Sequence, residues 1–305
     1  MSIDALRTPD ARFADLPDWP YAPHYRDDLP GFEGLRLHYV DEGPRDGHVC
    51  LCLHGQPSWS YLYRKMIPVF VEAGHRVVAP DLFGFGRSDK PRDDATYTFD
   101  FHRRSLVALV EALELRGVTL VCQDWGGLLG LTLPVSHPEL VARLLIMNTA
   151  IAVGADPGEG FREWLAFSNQ NPDLDVAKLM QRAIPGISEA EAQAYAAPFP
   201  DASYKAGVRR FPQLVPIRPD MAGADWGVKA ASFWSTQWSG PTFMAVGIQD
   251  PVLGPKVMAV VRKLIRGCPE PMMIEDQGHF VQESGDRIAR AALEAFAATT
   301  TESPN

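Results

Sequence analysis

The feature of this sequence that most constrains its fold is an apolar strand pattern that ends abruptly in an acid. Residues 118–122 are apolar and β-prone, and they are followed closely by Asp124, Trp125, Gly126 and Gly127. This pattern is typical of a nucleophile elbow, where a buried strand turns sharply into a helix and holds the tip residue over the sheet edge. Glycines suit such a turn because only small residues fit beside it. The sequence therefore predicts a strand, a turn and a helix with Asp124 at the tip.

The side chain at the tip is a carboxylate, and this limits the chemistry. A carboxylate needs no deprotonation before it attacks an alkyl carbon, and the attack gives an ester that water can hydrolyse later. The same group is a poor choice for attack on an amide. An alternative interpretation is that Asp124 only caps the helix that follows. The rest of the chain favours the nucleophile.

Strand and helix patterns alternate on both sides of the elbow. Strands are predicted at 35–43, 49–53, 76–80, 144–148, 242–250 and from 272 onward, with the first of these at a sheet edge. Helical spacing covers 61–73, 99–115, 127–134 and 288–298. Alternation of this kind predicts a mostly parallel, doubly wound α/β sheet.

The strand pattern disappears between residues 155 and 229. This stretch is rich in Ala, Glu, Gln and Pro and has short helical segments. It is predicted to be an inserted helical cap, or lid, over the carboxyl edge of the sheet, where ligands bind in open α/β folds. The domains are therefore a core of residues 1–154 and 230–305 and a cap of residues 155–229.

Two later strands also end in residues that can carry chemistry. Asp250 follows one strand, and His279 follows the next. With Asp124 they give the order nucleophile, acid, base, which is the order of the α/β-hydrolase triad. Singly, such an Asp would be taken as a helix cap and such a His as an ordinary buried residue. Three coincidences in the correct order favour catalysis.

Composition excludes several classes of partner. The net charge is -9 without a basic cluster, so neither nucleic acid nor an anionic membrane surface is expected as a partner. No apolar run is long enough to span a bilayer, the first residues do not resemble a signal peptide, and the four cysteines are expected to be free thiols. The predicted location is the cytoplasm. Metal-ligand spacing is also lacking.

Four stretches of the chain together resemble the haloalkane dehalogenases. They are residues 54–66 (HGQPSWSYLYRKM), 121–127 (VCQDWGG), 196–201 (AAPFPD) and 278–283 (GHFVQE). The resemblance covers nearly the whole chain, including the cap, and is closest to the subfamily whose catalytic acid follows the strand after the cap. It implies an α/β-hydrolase fold and the hydrolysis of small alkyl halides through a covalent alkyl ester, without metal or cofactor.

The resemblance assigns roles to individual residues. It implies that Asp124 is the nucleophile, Asp250 the acid and His279 the base, and that Trp125 and Trp164 bind the halide. The oxyanion hole would be formed by the backbone N–H groups of Gln56 and Trp125. The implied walls of the substrate pocket are Phe161, Phe211, Pro212, Val215 and Leu253. Expected partners are a small apolar halogenated substrate, halide and water, and the chain is expected to be a monomer.

Three positions qualify the match. Gln56 stands where the best-known pattern can carry Glu, and Leu128 stands where that pattern has a larger aromatic residue. Both changes bear on substrate range. Asn148 ends the strand before the cap and is not a carboxylate, which counts against the acid position of the sister subfamilies.

Two other functions compete with this interpretation. An epoxide hydrolase uses the same Asp, His and Asp but protonates the opening ring with tyrosines of its cap, where Tyr195 and Tyr204 lie. The Trp164 match counts against it, because an epoxide oxygen needs an acid rather than indoles. A non-catalytic receptor on the same fold has no evident need of an intact triad. A serine esterase is excluded because position 124 is not Ser or Cys.

Overall fold

The computed structural model describes residues 3–301. Its strands in chain order are β1 (Ala5–Leu6), β2 (His24–Arg26), β3 (Leu37–Glu42), β4 (Val49–Leu53), β5 (Arg76–Pro80), β6 (Lys90–Pro91), β7 (Val118–Cys122), β8 (Val141–Met147), β9 (Thr242–Gly247) and β10 (Met272–Ile274). Its α-helices are α1 (Ile67–Glu72), α2 (Phe99–Ala112), α3 (Trp125–Gly130), α4 (Glu159–Gln170), α5 (Val176–Ala183), α6 (Glu189–Ala196), α7 (Ala206–Leu214), α8 (Ala224–Thr236), α9 (Pro255–Leu264) and α10 (Gly285–Thr301).

Eight strands form one sheet in the order β10-β9-β8-β7-β4-β5-β3-β2. The pairs from β10 to β5 are parallel, whereas β3 is antiparallel to both β5 and β2. This is the predicted α/β-hydrolase sheet. The expectation that β3 lies at the edge is wrong, because β2 pairs along its free side. Only three residues long, β2 is too short to show a strand period in the sequence.

The central strands are buried because they are apolar along their whole length. In β4 and β7 all residues but Val49 are buried, as expected for parallel strands covered by helices on both faces. The helices between the strands provide that cover. For example, α2 begins after Thr98, whose side chain accepts a capping hydrogen bond from the N–H of Phe101. The predicted limits of β4, β5 and β7 match the observed ones.

The order in which successive strands are added to the sheet reverses next to β4. It passes from β4 to β5 on one side and later returns to form β7 on the other side. The crevice between the carboxyl ends of β4 and β7 is therefore the switch point, where ligands bind in open α/β sheets. Gln56 follows β4 and Asp124 follows β7, so this crevice lies between two predicted site residues.

Helices α4 to α7 lie between β8 and α8, in the stretch predicted as the cap. The start of α6 is marked in the sequence, because Ser188 and Glu191 form a reciprocal capping box. The division of the chain into core and cap stays a proposal. Its second boundary, between residues 229 and 230, falls inside α8, whose Trp234 donates its indole N–H to the carbonyl of Leu131 in the core. We therefore propose that the cap ends before Ala224.

In residues 3–301, none of the helices has the length and apolarity needed to cross a bilayer. Cys50, Cys52 and Cys122 are buried, Cys268 is half-buried, and all four are free thiols, as expected.

Candidate active site

The turn after β7 holds Asp124 in a conformation that L-residues rarely adopt. Its φ is 50° and its ψ is -127°, so the backbone turns sharply as in a nucleophile elbow. A methyl group at Gly126 would collide with the carbonyl of Leu53 at the end of β4, and one at Gly127 would collide with the Thr149 side chain. The glycines are thus required for the turn to lie against its neighbours. The Asp124 side chain makes no capping hydrogen bond to α3, and the helix-cap interpretation has no support.

The two carboxylate oxygens of Asp124 have different surroundings. The backbone N–H of Gln56 donates to Oδ1 over 2.8 Å, and the nearby backbone N–H of Trp125 also favours the charged form of the carboxylate. Oδ2 lies 3.6 Å from Nε2 of His279. One predicted oxyanion donor, Gln56, therefore contacts the predicted nucleophile, the other belongs to the next residue along the chain, and the second carboxylate oxygen faces the predicted base.

His279 is oriented by the acid that follows β9. Its Nδ1 lies 2.8 Å from Oδ2 of Asp250. That carboxylate is itself held in place, because Oδ1 accepts the backbone N–H groups of Val252 and Leu253, and Asn148 donates its side-chain amide to Oδ2 over 3.0 Å. Asn148 thus supports the acid from the end of β8. The structure brings the three predicted triad residues together, with Asp250 and Asp124 on opposite sides of the imidazole.

Burial and neighbouring charges act in opposite directions on the pKa values of the three predicted triad residues. For Asp124, burial raises the pKa, while the nearby His279 and the backbone donors act against that rise. For His279, burial opposes the charged form, but Asp250 and Asp124 more than offset it and raise the pKa to about 9. Burial likewise disfavours charge on Asp250, yet His279 and the backbone donors lower its pKa to about 2. The imidazole is thus stabilised in its charged form while both carboxylates are ionised.

Gln123 also contacts the base, and the sequence analysis did not identify it. Its side-chain nitrogen lies 2.9 Å from Nε2 of His279 and 3.0 Å from the backbone oxygen of the same residue. The only sequence signal was its place next to Asp124, at the end of a buried strand. Which loop it would face depends on the pairing of β7 with distant strands, and a linear pattern does not give this.

The indole of Trp125 lies under the cap. Its ring packs against Phe211 of α7, with centroids 4.6 Å apart, and against Phe99 at 6.0 Å. The indole is almost fully buried, and within residues 3–301 its N–H has no hydrogen-bond partner. Buried indole N–H groups normally find an acceptor. Trp234, for comparison, donates to a backbone carbonyl.

Trp164 lies on α4, at the edge of the same region. Its ring contact is with Phe167, at 5.9 Å, so the structure does not bring the two predicted halide-binding indoles into contact with each other. One turn earlier, Gly160 packs so closely on the loop after Asp250 that a methyl group there would collide with the carbonyl of Pro251. Because residues four apart share a helix face, Trp164 is on the side of α4 that approaches the loop after Asp250. Its indole N–H has no acceptor within the described part of the chain.

The predicted pocket walls belong to three different segments. Phe161 is buried in α4, Phe211 and Pro212 are buried in α7, and Val215 and Leu253 are half-buried. A cavity of about 390 Å³ opens beside His279, between the end of α5 and the loops that carry Asp250 and His279. Among the residues described, none of the five predicted walls lines this cavity, which Arg182 and Pro185 border instead. Of the five, Phe211 packs against Trp125, and Leu253 donates its backbone N–H to Asp250.

The cap is fastened to the core next to the site. Arg64 is fully buried and pairs with Glu283, four residues after His279, and with Glu191 of α6, each at 2.8 Å. The hydroxyl of Tyr195 donates to Glu283 over 2.5 Å and lies 3.2 Å from Arg64. Tyr195 is therefore engaged in this buried network and is not directed at a substrate.

Gln56 makes a second link between the core and the cap. While its backbone N–H contacts Asp124, its side-chain amide donates to the carbonyl of Val208 in α7 over 3.1 Å. A glutamate in this place could not donate that hydrogen bond unless protonated. The residue at position 56 therefore fixes both the oxyanion donor and the helix that carries Phe211.

No group of three or more metal-ligating side chains occurs within residues 3–301.

Comparison with known proteins gives a consistent result. A family model described as the alpha/beta hydrolase fold matches residues 49–286. A haloalkane dehalogenase from Psychrobacter cryohalolentis is 45% identical over 298 residues, which cover 95% of this chain and 97% of that protein. One from Mycobacterium marinum is 42% identical over 302 residues, covering 95% and 99%.

Solved structures agree with the sequence relatives. The tetrameric haloalkane dehalogenase from Paraglaciecola agarilytica is 53% identical, with a TM-score of 0.95 and coverage of 96% of this chain and 99% of that one. A haloalkane dehalogenase from Bradyrhizobium elkani is 26% identical, with a TM-score of 0.76 and coverage of 91% and 99%.

Proposed function

Since this chain belongs to the haloalkane dehalogenase family, with the α/β-hydrolase fold, and is a hydrolase of carbon–halogen bonds, we propose that Asp124, His279 and Asp250 carry out that hydrolysis. The observation that carries this assignment is the unequal environment of the two Asp124 oxygens. Oδ1 is held by a backbone donor, and Oδ2 is directed toward His279. One oxygen is thus fixed and the other is available for attack.

In the first step, Oδ2 of Asp124 attacks the carbon that bears the halogen. The new carbon–oxygen bond forms as the carbon–halogen bond breaks, and the bonding electrons leave with the halide. The product is a neutral alkyl ester on Asp124. No proton moves, so His279 has no part in this step. The strained elbow contributes by holding the carboxylate in one orientation.

The halide that develops in this step needs hydrogen-bond donors. The indole N–H groups of Trp125 and Trp164 can supply them, since an indole nitrogen donates but does not accept. Support comes from the lack of a hydrogen-bond partner for the Trp125 N–H within residues 3–301, on a side chain that is only 2% exposed. For Trp164, support comes from its place on the face of α4 that approaches the loop after Asp250.

In the second step, water hydrolyses the ester. His279 takes a proton from water through Nε2, and the hydroxide attacks the ester carbonyl carbon. The charge that develops on Oδ1 is stabilised by the backbone N–H groups of Gln56 and Trp125, of which the Gln56 group already donates to Oδ1. Collapse of this intermediate breaks the bond between Cγ and the ester oxygen, and the leaving alkoxide takes the proton of the new carboxyl group to become the alcohol, which restores the carboxylate. The proton that His279 took from water then passes to the solvent. Asp250 holds the imidazole and stabilises its charged form.

Loss of the negative charge on Asp124 favours the neutral form of His279, which is the form that can act as a base. In the resting enzyme two carboxylates raise the pKa of His279 to about 9. Esterification removes the charge of Asp124, and therefore lowers the pKa of His279 in the state that needs a neutral base. The two steps thus require different protonation states, and the reaction itself causes the change.

The substrate class that fits is a small, uncharged alkyl halide. Phe99 and Phe211 form an apolar surface around Trp125, which favours an apolar chain and disfavours a charged one. The cytoplasmic location stays a proposal and is supported by the four free thiols. The expected monomer differs from the tetrameric relative, so light scattering on the purified protein is the measurement that decides the assembly.

Halide release tests the assignment. Purified protein is expected to release halide from 1,2-dibromoethane and 1-chlorobutane, whereas an Asp124→Asn variant releases none. Styrene oxide serves as the control substrate for the epoxide hydrolase alternative, which Tyr195 does not support because Glu283 and Arg64 occupy its hydroxyl. Diol formation without halide release would overturn the proposal.

A further inference from the structure

Gln123 is a buried polar residue for which the two chemical steps give no role. It is fully buried at the end of β7, and its side-chain nitrogen lies 2.9 Å from Nε2 and 3.0 Å from the backbone oxygen of His279. The amide oxygen is also buried and has no hydrogen-bond partner within residues 3–301. A buried amide oxygen without a hydrogen-bond partner lowers the stability of the fold, so the presence of this amide beside the base needs an explanation.

The backbone contact fixes which way the amide faces. The carbonyl of His279 can only accept a hydrogen bond, so the amide nitrogen rather than the oxygen must point toward it. The second N–H of that nitrogen then meets Nε2 of the ring. Nε2 can accept this hydrogen bond only when it carries no proton. The contact is therefore compatible with a neutral ring protonated on Nδ1, and it opposes the imidazolium.

We propose that Gln123 is a positioning residue that selects the neutral, Nδ1-protonated form of His279, the form that activates water for ester hydrolysis. This inference rests on the proposed function, in which His279 is the base. The amide also ties the ring to its own backbone through a single side chain, which restricts rotation of the imidazole away from Asp250. Neither effect requires Gln123 to touch the substrate.

The charges around His279 explain why such a residue is needed. Asp250 faces Nδ1 and Asp124 faces Nε2, and both favour the charged ring. Arg182 borders the same cavity as His279 but is exposed to solvent. After esterification Asp124 is neutral, but Asp250 still favours the imidazolium. The amide of Gln123 then opposes Asp250 at Nε2, and because Nε2 has a single lone pair, water must replace the amide N–H there before the ring takes its proton.

Three variants separate this role from simple packing. Gln123→Met keeps a long side chain and removes the donor. Gln123→Glu is nearly isosteric and replaces the donor with an acceptor for a protonated Nε2. Gln282→Met is the matched control, because Gln282 is a buried amide three residues from His279 and makes no contact with its ring in the described part of the chain. Circular dichroism verifies that each variant is folded.

The readout is the protonation of His279, followed by NMR of ¹⁵N-labelled histidine across a pH titration. Loss of a hydrogen bond to the neutral ring is expected to move the midpoint upward in Gln123→Met by about half a pH unit to one pH unit. Gln123→Glu is expected to move it further, and Gln282→Met to leave it in place. The acid limb of the kcat profile should shift in the same order.

The result that would overturn the inference is an unchanged His279 midpoint in Gln123→Met and Gln123→Glu. Failure of the proposed function looks different, because it would appear as unimpaired ester hydrolysis in a His279→Phe variant. If His279→Phe stops ester hydrolysis while both Gln123 variants titrate like the wild type, the proposed function stands and the role of Gln123 is refuted.

Discussion

The backbone N–H of Gln56 donates to Oδ1 of Asp124 over 2.8 Å, so the proposed oxyanion donor already holds the proposed nucleophile in the absence of substrate. The oxygen that bears the charge of the tetrahedral intermediate is therefore already in place before any substrate binds. Because a preorganised donor needs no rearrangement during the reaction, this contact serves both steps. It aims Oδ2 in the first step and stabilises Oδ1 in the second.

Gly55→Ala tests the close approach that this arrangement needs. A methyl group at position 55 would lie 2.6 Å from Cγ of Asp124 and would push the carboxylate out of the oxyanion hole. Halide release should fall by about 100-fold or more, because misplacing a reacting group typically slows a reaction by about this factor. Gly278→Ala is the control, since its methyl would meet backbone atoms of Gln249 at an ordinary 3.6 Å. Full activity of Gly55→Ala would contradict the prediction.

Most of the fold, and the grouping of the three proposed triad residues, could be predicted because they depend on local signals. The apolar runs of β4, β5 and β7 match the observed strands. Asp124, Asp250 and His279 follow β7, β9 and β10, and in a parallel sheet the carboxyl ends of neighbouring strands meet at one edge. Strand ends and their order along the chain were therefore enough to bring the three side chains together.

Other features depend on contacts between distant segments and could not be predicted. Gln123 reaches the loop after β10, and Gln56 reaches the carbonyl of Val208 across the crevice, at sequence separations of 156 and 152 residues. The short strand β2 and the true start of α8 depend on packing in the same way. The local sequence around these residues does not indicate which distant segment they contact.

Replacing the indoles tests the halide site. Trp125→Phe and Trp164→Phe keep an aromatic ring but remove the N–H donor. Each should slow the first step by about 10-fold to 100-fold and weaken halide binding, because a donor to the developing charge is lost. Stopped-flow alkylation and quenching of fluorescence by bromide report the two effects. Trp226→Phe is the control, since its N–H donates to Asp100 on the surface. Equal losses in all three variants would count against specific halide binding.

The charge of Asp124 should be visible in the titration of His279. Asp124 favours the imidazolium and contributes to a pKa of about 9, so Asp124→Asn should lower this pKa. At a pH between the two values, the ring is charged in the wild type and neutral in the variant. Asp225→Asn, a distant and exposed carboxylate that pairs with Lys229, should have no effect. An unchanged midpoint in Asp124→Asn by NMR titration would refute the electrostatic link between the two steps.

Removal of Arg64 tests the attachment of the cap. Arg64→Met leaves the buried Glu283 with only Lys65, at 2.9 Å, as a cationic partner. The free energy of unfolding should fall by about 3 kcal/mol, near the lower end for a broken buried pair. Arg290→Met breaks an exposed pair with Glu72 and should cost less than about 1 kcal/mol. Urea denaturation measures both changes, and equal costs in the two variants would show that the network does not stabilise the fold.

The central claim is that Asp124 becomes alkylated and that His279 is needed to release it. A His279→Phe variant incubated with 1-bromobutane tests both parts at once by mass spectrometry and bromide assay. The account predicts one bromide per protein molecule in a single burst, and a butyl group on the peptide that contains Asp124. Continued turnover without an adduct, or an adduct on another residue, would contradict it.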